Sequence, residues 1–158
     1  MKKLLTALTV LAAAVTLKAE SHNYAALAVF APGQLPTAVT TITGVRANVI
    51  YGECQAISGF DFGIVGCVRE RANGFQFNAY SSVGTDAKGF QLGLVNLVEV
   101  DFSGFECGLW NSVSGRAKGF QLGLVNHANR FKGLQIGIWN TIDTGVSHSS
   151  LPLVNWCW

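Results

Sequence analysis

The sequence predicts an all-β repeat protein: a β-solenoid of about eight 15-residue units, with an antiparallel β-meander or an outer-membrane β-barrel as the alternative architecture. Three observations carry this. The ten residues AKGFQLGLVN, Ala87 to Asn96, recur unchanged at Ala117 to Asn126, and related octapeptides begin at Gly44, Gly59, Gly74, Gly104 and Gly133. The steps are fifteen residues, with one of fourteen before Gly133, and a fixed period of this kind decides architecture before any local propensity does. Counting each unit from its first glycine, positions two, four and six are apolar in strict alternation, as in Phe90, Leu92, Leu94 and Phe120, Leu122, Leu124, which is the period of a strand with one buried face. Finally, glycine holds two fixed places per unit, and each would cost about 1 kcal/mol inside a helix.

The chain divides accordingly. Residues 1–19 read as a secretory signal peptide: Met1-Lys2-Lys3 is a positive start, Leu4 to Leu17 an uncharged apolar run, and Leu17-Lys18-Ala19 places a small residue before Glu20. That run is short of the roughly twenty residues a spanning helix needs. Residues 20–43 are an N-terminal segment or cap. Residues 44–155 hold the eight units, the last being HSSLPLVN from His148, which has lost both glycines; residues 156–158 are a tail. Within a unit, apolar residues return at position ten (Val68, Val83, Val98, Val113, Ala128, Ile142) and position fourteen (Ile57, Ala72, Ala87, Phe102, Ala117, Val146). Polar and glycine-bearing triplets such as Ser114-Gly115-Arg116 lie between them and mark turns.

In a solenoid, like stacks on like every ~4.8 Å. The Phe and Leu columns are then expected to fill the interior, and Asn96, Asn111, Asn126, Asn140 and Asn155 to form a ladder at a corner. In a barrel, each unit is instead one strand plus a turn. Position seven alternates Val65, Tyr80, Val95, Trp110, Val125, Trp139, Val154; a hairpin gives such a superperiod, and so does a solenoid in which each large ring spreads over a neighbouring valine. Uniformly short turns favour the solenoid, since the outer loops of barrels are longer.

The composition excludes some functions. Of 158 residues, 49% are hydrophobic and 13% charged, too apolar for a disordered chain. The formal charge of +2 belongs to the leader: without Lys2, Lys3 and Lys18, eight cations face nine carboxylates. With no basic excess and no Lys/Arg run, nucleic acid is not an expected partner.

The GFQLGLVN and GLQIGIWN phrases resemble the repeats of a bacterial surface-repeat family first described in spirochaete surface lipoproteins. Ala31-Pro32-Gly33-Gln34-Leu35-Pro36 and the run from Thr43 to Gly52 resemble that family's lead-in, and Leu151 to Trp156 its ending. The resemblance implies export and cell-surface association; an envelope component, a protein partner, an oligomer and the outer membrane stand open as what the chain meets there. It supplies no catalytic residue and no cofactor. This chain lacks the cysteine that carries the lipid in lipoprotein members.

Residue by residue, chemistry has little foothold. His22, His127 and His148 show no metal-ligand spacing. Asp61 and Glu106 replace the position-three glutamine and read as two solvated acids three coils apart, roughly 14 Å, beyond the separation a glycosidase pair uses. Ser147 beside His148 lacks a nucleophile-elbow pattern. Cys107 takes a core leucine's place. Cys54 and Cys67 occupy nearby turn positions in adjacent units and form a candidate disulfide. The candidate contact stripe is Tyr80, Trp110 and Trp139: exposed, these rings would offer a flat apolar strip to a sugar, a lipid or a protein; covered by Ser21 to Thr43 or an oligomer partner, they would be packing.

Overall fold

The computed structural model describes residues 23–28, 34–35, 40–144 and 149–158. The expected leader, His22, Val146, Ser147 and His148 lie outside them. β1 (Asn23–Ala28) and β2 (Gln34–Leu35) precede β3 (Thr41–Cys54), β4 (Ala56–Val68), β5 (Ala72–Val83), β6 (Asp86–Leu92), β7 (Val95–Val98), β8 (Asp101–Cys107), β9 (Trp110–Leu122), β10 (Val125–Thr144) and β11 (Ser150–Cys157).

Neighbouring coils pair in parallel and in register. Gly59 faces Gly44, Gly74 faces Gly59, and so on to Gly133 on Gly119. Like therefore stacks on like, and the chain is a β-solenoid of about six turns between Gly44 and Gly133. Parallel pairing of successive units excludes the meander and the barrel, whose neighbours run in opposite directions. Each coil has a long flank, positions thirteen to four, and a short flank, positions seven to ten. Position five, mostly glycine, marks the corner between them; β5 turns it, so that its first half pairs with β6 and its second with β7.

The eighth unit is a correction to the sequence reading. β11 runs antiparallel to β10, with Gly133 opposite Cys157 and Thr141 opposite Ser150, so the described part of the eighth unit, from Ser150, closes the stack as a reversed strand rather than adding a coil. Its missing glycines explain this. The position-one glycines have φ between 116° and 145°, and a Cβ on Gly104 would lie 1.9 Å from the carbonyl oxygen of Gly89. A residue other than glycine cannot stack there. At the other end β1 pairs in parallel with β3 and is backed by β2.

The interior also differs from expectation, and strand parity is the reason. The long flank is one continuous strand through its glycine, so positions fourteen, one and three share a face, while thirteen, fifteen, two and four share the other. Burying Phe90 and Leu92 would bury Lys88 and Asp86 with them. The fold turns the opposite face inward. Its apolar half stacks Ile42, Ile57, Ala72, Ala87, Phe102, Ala117 and Phe131 against Cys54, Val68, Val83, Val98, Val113, Ala128 and Ile142, all buried. Its polar half holds position three, Arg46, Asp61, Gln76, Gln91, Glu106, Gln121 and Gln135, opposite the buried asparagines of position eight. Buried amides are tolerated where they are bonded, and an in-register stack bonds each to its copy one coil away.

Candidate functional site

Two polar ladders thread the interior. Asn96, Asn111 and Asn126 each donate from Nδ2 to Oδ1 of the next asparagine, at 2.9, 2.8 and 2.7 Å, and their second amide hydrogen reaches a backbone carbonyl. The expected corner ladder is thus present as far as Asn140; Asn155 joins from the reversed strand through the carbonyl of Asn140. The position-three column donates the other way: Gln91 to Gln76 at 2.5 Å, Gln76 to Asp61 at 3.2 Å, Gln135 to Gln121 at 2.7 Å and Gln121 to Glu106 at 2.6 Å.

Asp61 and Glu106, expected to be solvated, are both fully buried, because position three faces inward. Asp61 accepts two bonds from the Arg46 guanidinium, at 2.8 and 2.6 Å, and others from Asn48 and Asn78; every lone-pair direction is used, as a buried ion pair requires. Glu106 has no cation. Burial pushes its carboxyl up to about 8, against a smaller opposing effect from the Gln121 bond. Its Oε1 and the Oε1 of Gln91 on the adjoining coil both lack partners. Two acceptors face each other there, and a proton on Glu106 supplies the one missing donor.

Cys54 and Cys67 are not joined. The register sets Cys54 opposite Val68 and Cys67 opposite Glu53, so in alternating strands the two side chains leave on opposite faces: Cys54 lies in the core and Cys67 lies outside. Burial raises the Cys54 thiol to about 11. Cys107, placed in the core by analogy with leucine, is instead half-exposed on the outer surface.

That outer surface is where the contact stripe lies. Trp110 and Trp139 are 51% and 55% exposed, and Tyr80 is half-buried between Val65 and Val95. The stripe is one edge of something larger. Phe60, Phe75, Phe90, Phe105 and Phe120 stack outside with ring centroids 4.8 to 5.8 Å apart, and Phe62, Phe77, Ile64, Leu94, Leu109, Leu124 and Ile138 are exposed beside them. No charged residue occupies positions two, four, six or seven of any coil from Gly44 to Trp139. Along the other edge, positions thirteen and fifteen line a cleft of about 680 Å³ that holds Arg71, Lys88, Arg116, Lys118, Arg130 and Lys132 against only Asp86 and Asp101. Six of the eight cations beyond residue 19 sit in this one cleft. Arg116 bonds Asp101 at 2.6 Å and holds that carboxyl below its usual range.

The fifteen-residue step also aligns three residues that the sequence keeps apart. Ser112 Oγ lies 3.2 Å from His127 Nδ1, and His127 Nε2 lies 3.0 Å from Asp143. Adding fifteen to 112 would have found the first pair. The trio stands on the outer short flank, away from the cleft. Among the described residues no three His, Cys, Asp or Glu side chains converge as a metal site. Comparison with family models, curated proteins and solved structures returns no match.

Proposed function

We propose that the chain is an exported, non-enzymatic repeat scaffold of the bacterial surface-repeat kind, which makes contact at the cell envelope through its outer apolar face. One observation carries this reading: seven stacked coils present positions two, four, six and seven without a single charge. At ~4.8 Å per coil and ~3.3 Å per residue the face is roughly 34 Å by 17 Å, near the top of the about 300–600 Å² that a soluble monomer leaves as its largest apolar patch. Repeats of this regularity serve extended surfaces, whereas a catalytic centre needs unlike groups converging in a pocket. The apolar leader, Leu4 to Leu17, supports export.

The test is fractionation of cells producing the full chain, wild type against a Trp110→Ala/Trp139→Ala/Leu109→Lys variant. Wild type is expected with the envelope, and the variant in the soluble fraction. Identical distribution of the two would remove the apolar face from the mechanism.

A further inference from the structure

We propose that the apolar face and the cationic cleft beside it form a single seat for a lipid bilayer bearing anionic headgroups, on which the solenoid rests lengthwise. This deepens the envelope reading and rests on it.

The two features share one surface. In β6, β8, β9 and β10 the outward residues run in order from position thirteen to position four: Asp86, Lys88, Phe90, Leu92 on one coil and Arg116, Lys118, Phe120, Leu122 two coils on. Lys88, Lys118 and Lys132 each stand two residues from the ring or leucine that opens the apolar face. Across that face, beyond the corner, the opposite edge carries Tyr80, Trp110 and Trp139. Cations on one border, amphipathic aromatics on the other and uncharged apolar side chains between them make the pattern of a surface lying at the membrane interface. Within the cleft only Asp86 and Asp101 oppose the six cations, and Glu70, Glu99 and Asp143 lie at the far turn, positions eleven and twelve.

A protein partner is a poorer occupant. An interface of this size would carry about one hydrogen bond per 100–200 Å². The face offers the Tyr51 and Tyr80 hydroxyls and the indole N–H groups of Trp110, Trp139 and, beside Leu134 on the closing strand, Trp156, all at its edges. Hydrocarbon asks for none, provided no backbone group is left bare. In this stack the backbone N–H and C=O groups of the flanks are directed along the axis into the next coil, so the face itself shows lipid only side chains. The cleft spans five coils, roughly 19 Å. Of its six cations only Arg116 is ion-paired among the described residues, which leaves ammonium and guanidinium groups to meet phosphates.

The experiment uses the full mature chain in a Trp156→Phe/Trp158→Phe background, so that Trp110 and Trp139 report alone. Vesicles of phosphatidylcholine, with and without phosphatidylglycerol, are titrated at low and high salt. The expected result is a blue shift of tryptophan emission, quenching by brominated acyl chains, and tighter binding to the anionic vesicles. A Lys88→Gln/Lys118→Gln/Lys132→Gln variant should lose roughly a hundredfold in affinity for anionic vesicles, about fivefold per lysine, with little change on phosphatidylcholine and an unchanged circular dichroism spectrum. The proposal is overturned by absence of vesicle binding, by binding without quenching, or by a triple variant that keeps the anionic preference. Association with envelope fractions but not with pure lipid vesicles would defeat the lipid seat and leave the envelope contact standing. Failure with both would defeat both, as would a stable soluble dimer that buries Trp110 and Trp139 and ignores vesicles.

Discussion

Replacing Glu106 by glutamine should stabilise the protein, by an amount that grows with pH. The position-three column donates each amide to a side-chain oxygen of the preceding coil, amide or carboxyl, except between Glu106 and Gln91, where each residue keeps an acceptor oxygen without a partner. The folded protein resolves this by keeping Glu106 protonated, its carboxyl raised from 4.5 to about 8, mainly by burial. Below about pH 4.5 the folded and unfolded chains both carry this proton, and the group adds no pH dependence. Between about 4.5 and 8 the unfolded chain has released a proton that the folded chain retains, so stability falls as pH rises. Above about 8 both states are ionised and the full penalty is in place. A displacement from 4.5 to about 8 corresponds to about 5 kcal/mol, of which about 3 kcal/mol is reached by pH 7. The glutamine variant donates from Nε2 as its column neighbours do, and has no proton to lose. Urea denaturation of both proteins at pH 4, 7 and 9 measures the difference directly, because every other titrating group is common to the pair. The variant's advantage should be small at pH 4 and amount to several kcal/mol at pH 9. An advantage independent of pH, or a wild type more stable than the variant at pH 9, would refute the shared-proton account.

Three further outcomes follow from the stack. Gly104→Ala should cost more than about 3 kcal/mol in thermal or chemical unfolding, because its Cβ would meet the Gly89 carbonyl oxygen at 1.9 Å with φ at 145°, whereas Ser114→Ala, exposed on β9, should change stability by less than about 0.5 kcal/mol. Asp61→Asn leaves the Arg46 guanidinium buried without its counter-charge and should destabilise by about 3–5 kcal/mol, read from the same denaturation curves; an effect under about 1 kcal/mol would mean that water reaches the pair. Cys54, buried and raised to about 11, should resist iodoacetamide in the folded protein under conditions that label Cys107, with mass spectrometry as the readout; labelling of Cys54 at a comparable rate would contradict its place in the core.

Much of the architecture was legible because a parallel stack repeats itself. The period, the strands, the turns and the asparagine ladder from Asn96 to Asn140 follow from placing like on like, and the sequence displays likeness openly. Which face turned inward was harder to read. Positions two, four and six look like a core when the strand is taken to begin at its glycine. Extended backwards through Gly89 to Asp86, the same strand puts Lys88 on the Phe90 face and Ala87 on the Gln91 face. The signal was therefore the parity of position fifteen with position two, and it is visible only once the strand is known to run through a glycine at φ 119°. The cation cleft is invisible in the sequence for a related reason: Arg71, Lys88, Arg116, Lys118, Arg130 and Lys132 form no run and gather only when five coils are stacked.

The inverted arrangement joins stability and function in one argument. A column of side-chain amides makes its bonds only when each coil sits in register, so a slip of one residue would bury the Phe and Lys face and strand the glutamines in solvent; the polar interior fixes register more sharply than an apolar one. The consequence is that Phe75, Phe90 and their neighbours stay outside, where stacking at 4.8 to 5.8 Å covers them only in part: Phe75 and Phe90 remain 44% exposed. At about 25 cal/mol per Å², some 550 Å² of such surface represents on the order of 14 kcal/mol released to whatever covers it. That is comparable with the about 4–15 kcal/mol that association between macromolecules costs, and it is available without a single directional bond. A fluid hydrocarbon surface, which conforms to the stacked rings, collects this energy more completely than a rigid partner that must match them.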